Sequence, residues 1–303
     1  MGQLPTFSGW HRFLALLALS VLISASVAPA FARSRPPAKP KRFVTEKPVR
    51  VVVVGGSITA HPANFMKFLH KRCANIEVIN FGKARLKARA LLRRFREKVR
   101  DDQQLVDQLK KKEGWLVYLG GLNGIYLPKR TRKNIAATFS EAHAVGLKVA
   151  ALTLPPWGSL EDGRFFDYEG LFNLKATALV NDFLRSKPGT FSAKQLPDLV
   201  LDIYNSKLRD KRARLRSTSE ISPRFSKSRY RRRRHAKRSL TRQARYVPRM
   251  FMKRKYRGRY HFHPNWRGHR VIAHLFCKNA PVSWACDCKK IARSWPKNGR
   301  IYP

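Results

Sequence analysis

Four residues with the capacity for acyl chemistry are spread along the chain, at Ser57, Gly82, Asn123 and His263. Ser57 follows two glycines at the end of an apolar run, and such a sequence permits a sharp turn that exposes the hydroxyl. His263 supplies an imidazole that is able to take the proton of a hydroxyl near neutral pH. Asn123 can aim its amide at a developing oxyanion, and Gly82 lets a substrate approach the main chain closely. Together these residue types indicate nucleophilic attack on an acyl carbonyl.

Each of these residues also has an ordinary structural interpretation. A Gly-Gly-Ser turn after a strand equally suits phosphate binding or a purely structural turn, Asn123 is of a type common in turns, and a histidine before proline is usually a loop residue. The order and spacing of all four along the chain, and not any one of them, favour a catalytic site.

Five short apolar runs occur along the chain, and the first three lead into Ser57, Gly82 and Asn123 in turn. They are "VRVVVVGGSIT" and residues 76–81, 115–119, 147–153 and 199–204, and helical patterns occupy residues 63–72, 86–109, 132–144, 170–184 and 271–277. Strands that alternate with helices predict a three-layer α/β/α fold, flavodoxin-like, with a parallel five-stranded sheet. The carboxyl ends of parallel strands share one edge, so Ser57, Gly82 and Asn123 should lie on that edge.

The motif blocks "GGSIT", "NFGKAR", "GLNG" and "YHFHPNWRGH" resemble the SGNH (GDSL-type) hydrolase superfamily. The resemblance covers residues 50–204 and 261–276. It implies an esterase or O-deacylase in which Ser57 attacks an acyl ester and His263 is the base. The backbone N–H of Ser57, a main-chain N–H near Gly82 and the side chain of Asn123 then hold the oxyanion, and no metal or organic cofactor takes part.

Four positions depart from the pattern of the superfamily. Gly56 and Gly124 replace the aspartates of the Ser and Asn blocks, and Arg85 occupies the place of the second glycine of the Gly block, so the donor on that loop is either Gly82 or Arg85. Tyr260 replaces the aspartate that orients the histidine. Candidates for that orienting role are a main-chain carbonyl, the Tyr260 hydroxyl, or a carboxylate from elsewhere such as Asp202.

The charge of the chain is strongly one-sided. Its 303 residues contain 64 Lys and Arg against 18 Asp and Glu, a formal net charge of +46. Residues 207–259 hold 23 Lys and Arg against Asp210 and Glu220 and lack apolar periodicity, which predicts a long, disordered basic insertion. An anionic envelope polymer or lipid headgroup is the favoured partner of this insertion, with nucleic acid as the second choice.

The N-terminus has the three-part pattern of a secretory signal peptide. A basic start is followed by an apolar run over residues 13–28 and by Ala30-Phe31-Ala32, which predicts cleavage after Ala32 and a secreted or periplasmic protein, or a membrane anchor if the signal is not cleaved. Export permits disulfides, and the four cysteines allow three pairings. One or two disulfides that tie down the C-terminal tail are favoured over a metal site.

These observations predict six segments: a signal peptide (1–32), a Pro-rich basic linker (33–48), the first part of the core (49–206), the basic insertion (207–259), the His block with the last helix (260–279), and a Cys-containing tail (280–303). We expect a monomer that acts on an acyl ester of a glycan or lipid. Two alternatives are a weakly active or inactive SGNH-like protein that binds polyanions, and an acyltransferase that uses the same Ser57 and His263.

Overall fold

Five parallel strands form the sheet. The computed structural model describes residues 49–159, 168–185, 191–211 and 251–289. The strands are β1 (Val49–Gly55), β2 (Ile76–Asn80), β3 (Gly114–Leu119), β4 (Lys148–Leu152) and β5 (Leu199–Leu201). Their order is β2-β1-β3-β4-β5, and every pairing is parallel. The predicted three-layer fold class is thereby confirmed.

The centre of the sheet is buried on both faces. Every residue of β1 and β3 is buried, and Val51 to Val54 have no solvent-exposed surface. Such continuous β-branched runs are typical of strands covered by helices on both sides. Because Val53 pairs with Asn80 and Gly55 pairs with Leu119, β1, β2 and β3 end at one edge. The loops after these strands therefore converge.

Helices cover both faces. They are α1 (Ser57–Ala60), α2 (Phe65–His70), α3 (Ala88–Phe95), α4 (Gln103–Lys110), α5 (Pro128–Ala144), α6 (Tyr168–Leu184) and α7 (Trp266–Asn279). The α2 and α7 helices pack on one face, around Phe65 and Phe276, while α3, α5 and α6 pack on the other, around Phe139. Within the described part of the chain, no helix is long and apolar enough to cross a membrane.

The predicted helix over residues 86–109 is divided in two. A single π-helical stretch, Arg96–Arg100, follows α3, and the chain then restarts as α4 with Asp102 as its N-cap. The Asp102 side chain accepts a hydrogen bond from the Leu105 N–H at 3.0 Å. An N-capping aspartate satisfies an otherwise unpaired N–H and so favours a new helix start at this residue.

The last helix begins five residues earlier than its apolar pattern predicts. Asn265 caps α7 and accepts a hydrogen bond from the Gly268 N–H at 3.1 Å. The helix therefore starts directly after His263 and Pro264, and its cap holds the histidine loop in place.

Both ends of the basic segment 207–259 lie against the folded unit. Leu208, Phe251 and Met252 are buried, and Arg209 pairs with Met252 as an antiparallel bridge. The helical or strand periodicity of such short pieces is too weak to predict their burial from sequence. Residues 212–250 lie outside the described residues, as do the predicted signal peptide and linker.

Two disulfides join the C-terminal tail to the folded core, one to the loop between α2 and β2 and one to helix α7. Cys73 pairs with Cys286, and Cys277 pairs with Cys288. Trp284 lies between these bridges and is fully buried, in contact with Trp115 and Phe276. The expectation that disulfides hold the tail is confirmed, and the structure selects one of the three pairings.

Candidate active site

Ser57 lies just beyond the carboxyl end of β1, which is flanked by β2 and β3. It is the first residue of α1, directly after the turn at Gly55 and Gly56. A Cβ atom at Gly55 would lie 2.4 Å from the Leu119 carbonyl oxygen, so this position has room only for glycine. The first N–H groups of a helix lack partners within the helix, and that of Ser57 has none among the described residues. The turn thus presents a hydroxyl and a free N–H side by side.

His263 reaches this serine from the other end of the chain. Its loop is held by the Gly258 N–H, which donates to the His263 carbonyl oxygen at 2.8 Å, and by the Gly158 N–H, which donates to the His261 carbonyl oxygen at 2.9 Å. The His263 Nε2 atom lies 2.7 Å from the Ser57 Oγ atom across 206 residues of sequence. The structure therefore brings together the two residues for which the sequence predicts nucleophile and base.

The surroundings of His263 keep its ring neutral. Burial lowers the pKa of His263 below its ordinary value of 6.5, and the nearby His61 lowers the pKa further. A neutral imidazole accepts a proton through the nitrogen that carries no hydrogen. At neutral pH the Nε2 atom is accordingly able to take the proton of the Ser57 hydroxyl.

The orienting carboxylate of a triad has no counterpart here. The Nδ1 atom of His263 makes no hydrogen bond with any described residue, and Tyr260 is 64% exposed and makes none either. Asp202 instead accepts two hydrogen bonds from Arg185, at 2.8 Å and 3.0 Å. None of the three candidate orienting groups, which were a main-chain carbonyl, Tyr260 and Asp202, therefore forms a hydrogen bond with the His263 ring in the described structure. The arrangement is a Ser–His dyad.

Asn123 is positioned close to the serine by the loop after β3. It lies in a single 3-10 turn, Leu122–Gly124, which follows Gly121 in the left-handed conformation (φ 118°). Its Nδ2 atom donates to the Leu86 carbonyl oxygen at 3.1 Å, and the residue lines the same cavity as Ser57 and His263. The Asn123 amide carries a second hydrogen, for which no acceptor is present among the described residues.

Gly82 has a packing role that differs from the predicted one. Its N–H donates to the Asn80 Oδ1 atom at 2.8 Å, so it is not free to bind an oxyanion. A Cβ atom at this position would lie 2.6 Å from the Thr59 Oγ1 atom and 2.8 Å from the Ala60 nitrogen. Gly82 is therefore required because the loop passes tightly against α1, and it does not line the cavity.

Arg85 keeps the backbone geometry that a glycine would have at its place. Its φ angle is 64°, in the left-handed region that disfavours side chains with a Cβ by about 1–2 kcal/mol. Its N–H has no partner among the described residues. Of the two donors considered on this loop, the one at Arg85 is the free one.

A cavity of about 430 Å³ opens at the Ser57–His263 pair. Its wall is largely apolar and includes Leu86, Leu122, Ile125, Leu154, Trp157 and Phe262. Trp157 stacks on Phe262 at 5.9 Å between ring centroids and donates its indole N–H to the Thr177 hydroxyl at 3.0 Å. Phe262 is part of the histidine motif block but was not predicted to line a pocket, and no sequence pattern identifies Ile125 as a pocket residue.

Other histidines lie near the pair without forming a metal site. His269 stacks on His61 with ring centroids 5.6 Å apart, and burial lowers the pKa of His269 to about 3, so that it is neutral. Among the described residues no group of three His, Cys, Asp or Glu side chains is placed to hold a metal ion. His61 and His269 therefore act as stacked rings near His263 and not as metal ligands.

Comparison with known proteins gives matches among solved structures alone. No family model and no curated protein matches the chain. A lipase from a goat rumen metagenome is 15% identical with a TM-score of 0.46, over 77% of this chain and 97% of that one. A GDSL-like lipase from Bacteroides thetaiotaomicron is 16% identical with a TM-score of 0.46, over 76% and 86%. An acetylxylan esterase from Geobacillus stearothermophilus is 13% identical with a TM-score of 0.43, over 81% and 97%.

At these sequence identities and TM-scores, the three matched structures do not establish an activity for this chain. Its activity has to be inferred from its own residues. The resemblance inferred from the motif blocks agrees with the observed strand order, β2-β1-β3-β4-β5. In its motif blocks and its parallel five-stranded sheet, the chain is similar to the SGNH (GDSL-type) hydrolases.

Proposed function

We propose that the protein is a serine ester hydrolase that forms an acyl intermediate on Ser57. The observation that carries this proposal is the 2.7 Å contact between the Ser57 Oγ atom and the His263 Nε2 atom at the mouth of an apolar cavity. A nucleophile and a base within hydrogen-bond reach of each other are the minimum for this type of catalysis. The buried, neutral imidazole is in the protonation state that the first step requires.

The reaction proceeds in two halves. The Ser57 Oγ atom bonds to the carbonyl carbon while its proton moves to the His263 Nε2 atom, and the carbonyl oxygen becomes an oxyanion. The C–O bond to the alcohol then breaks, and His263 gives its proton to the leaving alkoxide. Water attacks the acyl-serine with His263 again as base, which releases a carboxylic acid and restores the serine.

Three donors are suited to the oxyanion, two on residues that line the cavity, Ser57 and Asn123, and one on Arg85, which directly precedes the lining residue Leu86. They are the free N–H of Ser57, the second amide hydrogen of Asn123 and the free N–H of Arg85. Donors that are already aimed at the developing charge need no reorganisation during the reaction, and each commonly contributes about 10²-fold to 10³-fold in rate. This set keeps the predicted Ser57 and Asn123 and replaces Gly82 by Arg85.

The apolar wall of the cavity favours esters whose acyl group is uncharged over esters whose acyl group is charged. Leu122, Ile125 and Phe262 offer no charged group to an acyl chain in the cavity. We therefore propose an uncharged acyl group, such as the acetyl or lipid ester of a glycan or lipid outside the cell. The predicted signal peptide and the two disulfides fit such a location. An anionic envelope polymer or lipid headgroup is the proposed partner of the basic residues.

A second function is favoured by one observation: within the part of the chain that the structure describes, nothing accepts a hydrogen bond from the Nδ1 atom of His263. A ring without an orienting acceptor is free to adopt the wrong tautomer, which in a comparable triad costs about 10⁴-fold in rate. On this alternative the chain is a polyanion-binding protein that uses a hydrolase scaffold with little or no turnover.

Covalent labelling distinguishes the two functions. The full-length protein is treated with a fluorophosphonate probe, in parallel with Ser57→Ala, His263→Ala and the matched control Ser140→Ala on helix α5. We expect labelling of the wild type and of Ser140→Ala, none of Ser57→Ala, and slow labelling of His263→Ala. Hydrolysis of p-nitrophenyl acetate should follow the same order. Wild-type protein that neither labels nor turns over the ester beyond Ser57→Ala would contradict the hydrolase and support the binding protein.

A further inference from the structure

A second, larger concavity lies outside the Ser57 cavity. It has a volume of about 1290 Å³, and none of its lining residues lines the cavity at Ser57. Two chain segments form one side of it. Lys207 and Lys211 belong to the segment that follows β5, and Lys253 and Lys255 belong to the segment that returns toward the histidine loop. We call this concavity the basic groove.

Helix α7 forms the opposite side. It contributes Arg267, Arg270 and Lys278, which lie along one side of the helix together with His274. Burial lowers the pKa of His274, and the positive charges of Lys278, Lys207 and Arg270 lower it further. Cations from two separate elements thus act on the same His274 ring, which shows that they lie close together around the groove.

Little negative charge opposes these cations. Among the described residues that line the groove, Asp210 is the one carboxylate, against eight Lys and Arg. The lysines at 207, 211, 253, 255 and 278 make no ion pair with any described residue. Like charges held this close repel one another, and a polyanion that enters the groove relieves that repulsion while releasing its counterions.

The aromatic residues of the groove argue against the stacking of bases. Lys255 lies over the Tyr256 ring, 5.1 Å from its centroid, and Arg267 lies over the Trp266 ring at 5.0 Å. Sequence-tolerant binding of single-stranded nucleic acid depends on open aromatic faces. A face already covered by a cation presents charge instead of a stacking surface.

From this geometry we propose that the basic groove binds a segment of an acidic polysaccharide. The concave shape fits a single chain better than a flat membrane surface, and the lysines provide flexible point charges for spaced carboxylate or phosphate groups. This inference deepens and rests on the anionic partner proposed above, and it assigns that partner to folded residues. Binding here is independent of acyl transfer at Ser57.

The test compares two triple variants of the full-length protein. Lys207→Gln, Lys255→Gln and Lys278→Gln remove three exposed cations of the groove, and Lys67→Gln, Lys98→Gln and Lys110→Gln remove three exposed cations elsewhere. Affinity for fluorescent polygalacturonate is measured by anisotropy from 50 to 300 mM salt. Circular dichroism verifies that both variants are folded.

We expect the groove variant to bind about tenfold more weakly at 150 mM salt, with a salt slope lower by about 2, and the control variant to change less than threefold. Equal losses in the two variants would overturn the groove as the site. Wild-type protein that binds no polygalacturonate would overturn the anionic partner while leaving the hydrolase intact.

Two further ligands decide the polymer class. A 20-base oligonucleotide and vesicles with phosphatidylglycerol are titrated in the same way. If the groove variant loses more affinity for the oligonucleotide or for the vesicles than for polygalacturonate, then nucleic acid or a membrane surface, and not an acidic polysaccharide, is the ligand of the groove.

Discussion

Substitution of Ser57 by alanine tests how much a serine–histidine pair contributes without a carboxylate. In a full triad, loss of the serine lowers kcat by about 2 × 10⁶-fold, and loss of the carboxylate alone lowers it by about 3 × 10⁴-fold. Dividing the first value by the second predicts that a serine–histidine pair without a carboxylate loses about 10²-fold in kcat when its serine is removed. Because the His263 Nδ1 atom has no partner among the described residues, Ser57→Ala should lower kcat by about 10²-fold, which is about 2.7 kcal/mol in activation free energy.

Steady-state hydrolysis of p-nitrophenyl acetate at pH 8, corrected for the spontaneous reaction, measures this loss. His263→Ala should cause the same loss, and the double variant should lose no more than either single variant because the two side chains act as a unit. The Ser140→Ala variant controls for general effects of removing a hydroxyl. A loss of 10⁵-fold or more would refute the reasoning, since it would require an orienting group that the structure does not show.

Four further outcomes follow from particular contacts. The acid limb of kcat/KM should lie below pH 6.5, because burial lowers the pKa of His263 and the ring protonates only at lower pH; a pH–rate profile measures this. Tyr260→Phe should change kcat by less than twofold, because the exposed hydroxyl does not reach the histidine. Replacement of Cys73 and Cys286 by alanine should lower the free energy of unfolding by about 5 kcal/mol in urea titrations, against about 3 kcal/mol for the second disulfide, because the bridges close loops of 213 and 11 residues. His269 has a pKa of about 3 in the folded protein and 6.5 in the unfolded chain, so between these two pH values only the unfolded chain binds a proton there. The free energy of unfolding should therefore fall by about 1.4 kcal/mol for each pH unit of acidification from 6.5 toward 3. The variant His269→Leu should show a smaller slope.

Local pattern was sufficient to predict the sheet and the first half of the site. Runs such as Val51 to Val54 have few alternatives to a buried strand, and the glycines at 55 and 56 mark its end. Ser57 and Asn123 then fall on the same edge because parallel strands share their carboxyl ends. Helix boundaries were less accurate where a cap and not periodicity sets the start, as at Asp102 and Asn265.

The sequence could not predict which residue takes a role when that choice depends on a single hydrogen bond. Gly82 and Arg85 are three residues apart on one loop, and nothing in their order shows that the Asn80 side chain occupies the N–H of the former. Likewise Asp202 was a reasonable orienting group until its two hydrogen bonds to Arg185 were seen. Such choices are made by competition among neighbours in space.

The sequence by itself determined the class of fold, the identity of a hydroxyl and an imidazole suited to acyl chemistry, and an excess of positive charge, because these follow from residue types and local periodicity. Only the tertiary structure decided that Ser57 and His263 touch, that no residue in the described ranges orients the histidine, which cysteines pair, and that cations on α7 and the β5 loop share one groove. Contacts of this kind join residues far apart in the chain, and their geometry is set by the packing of the whole core.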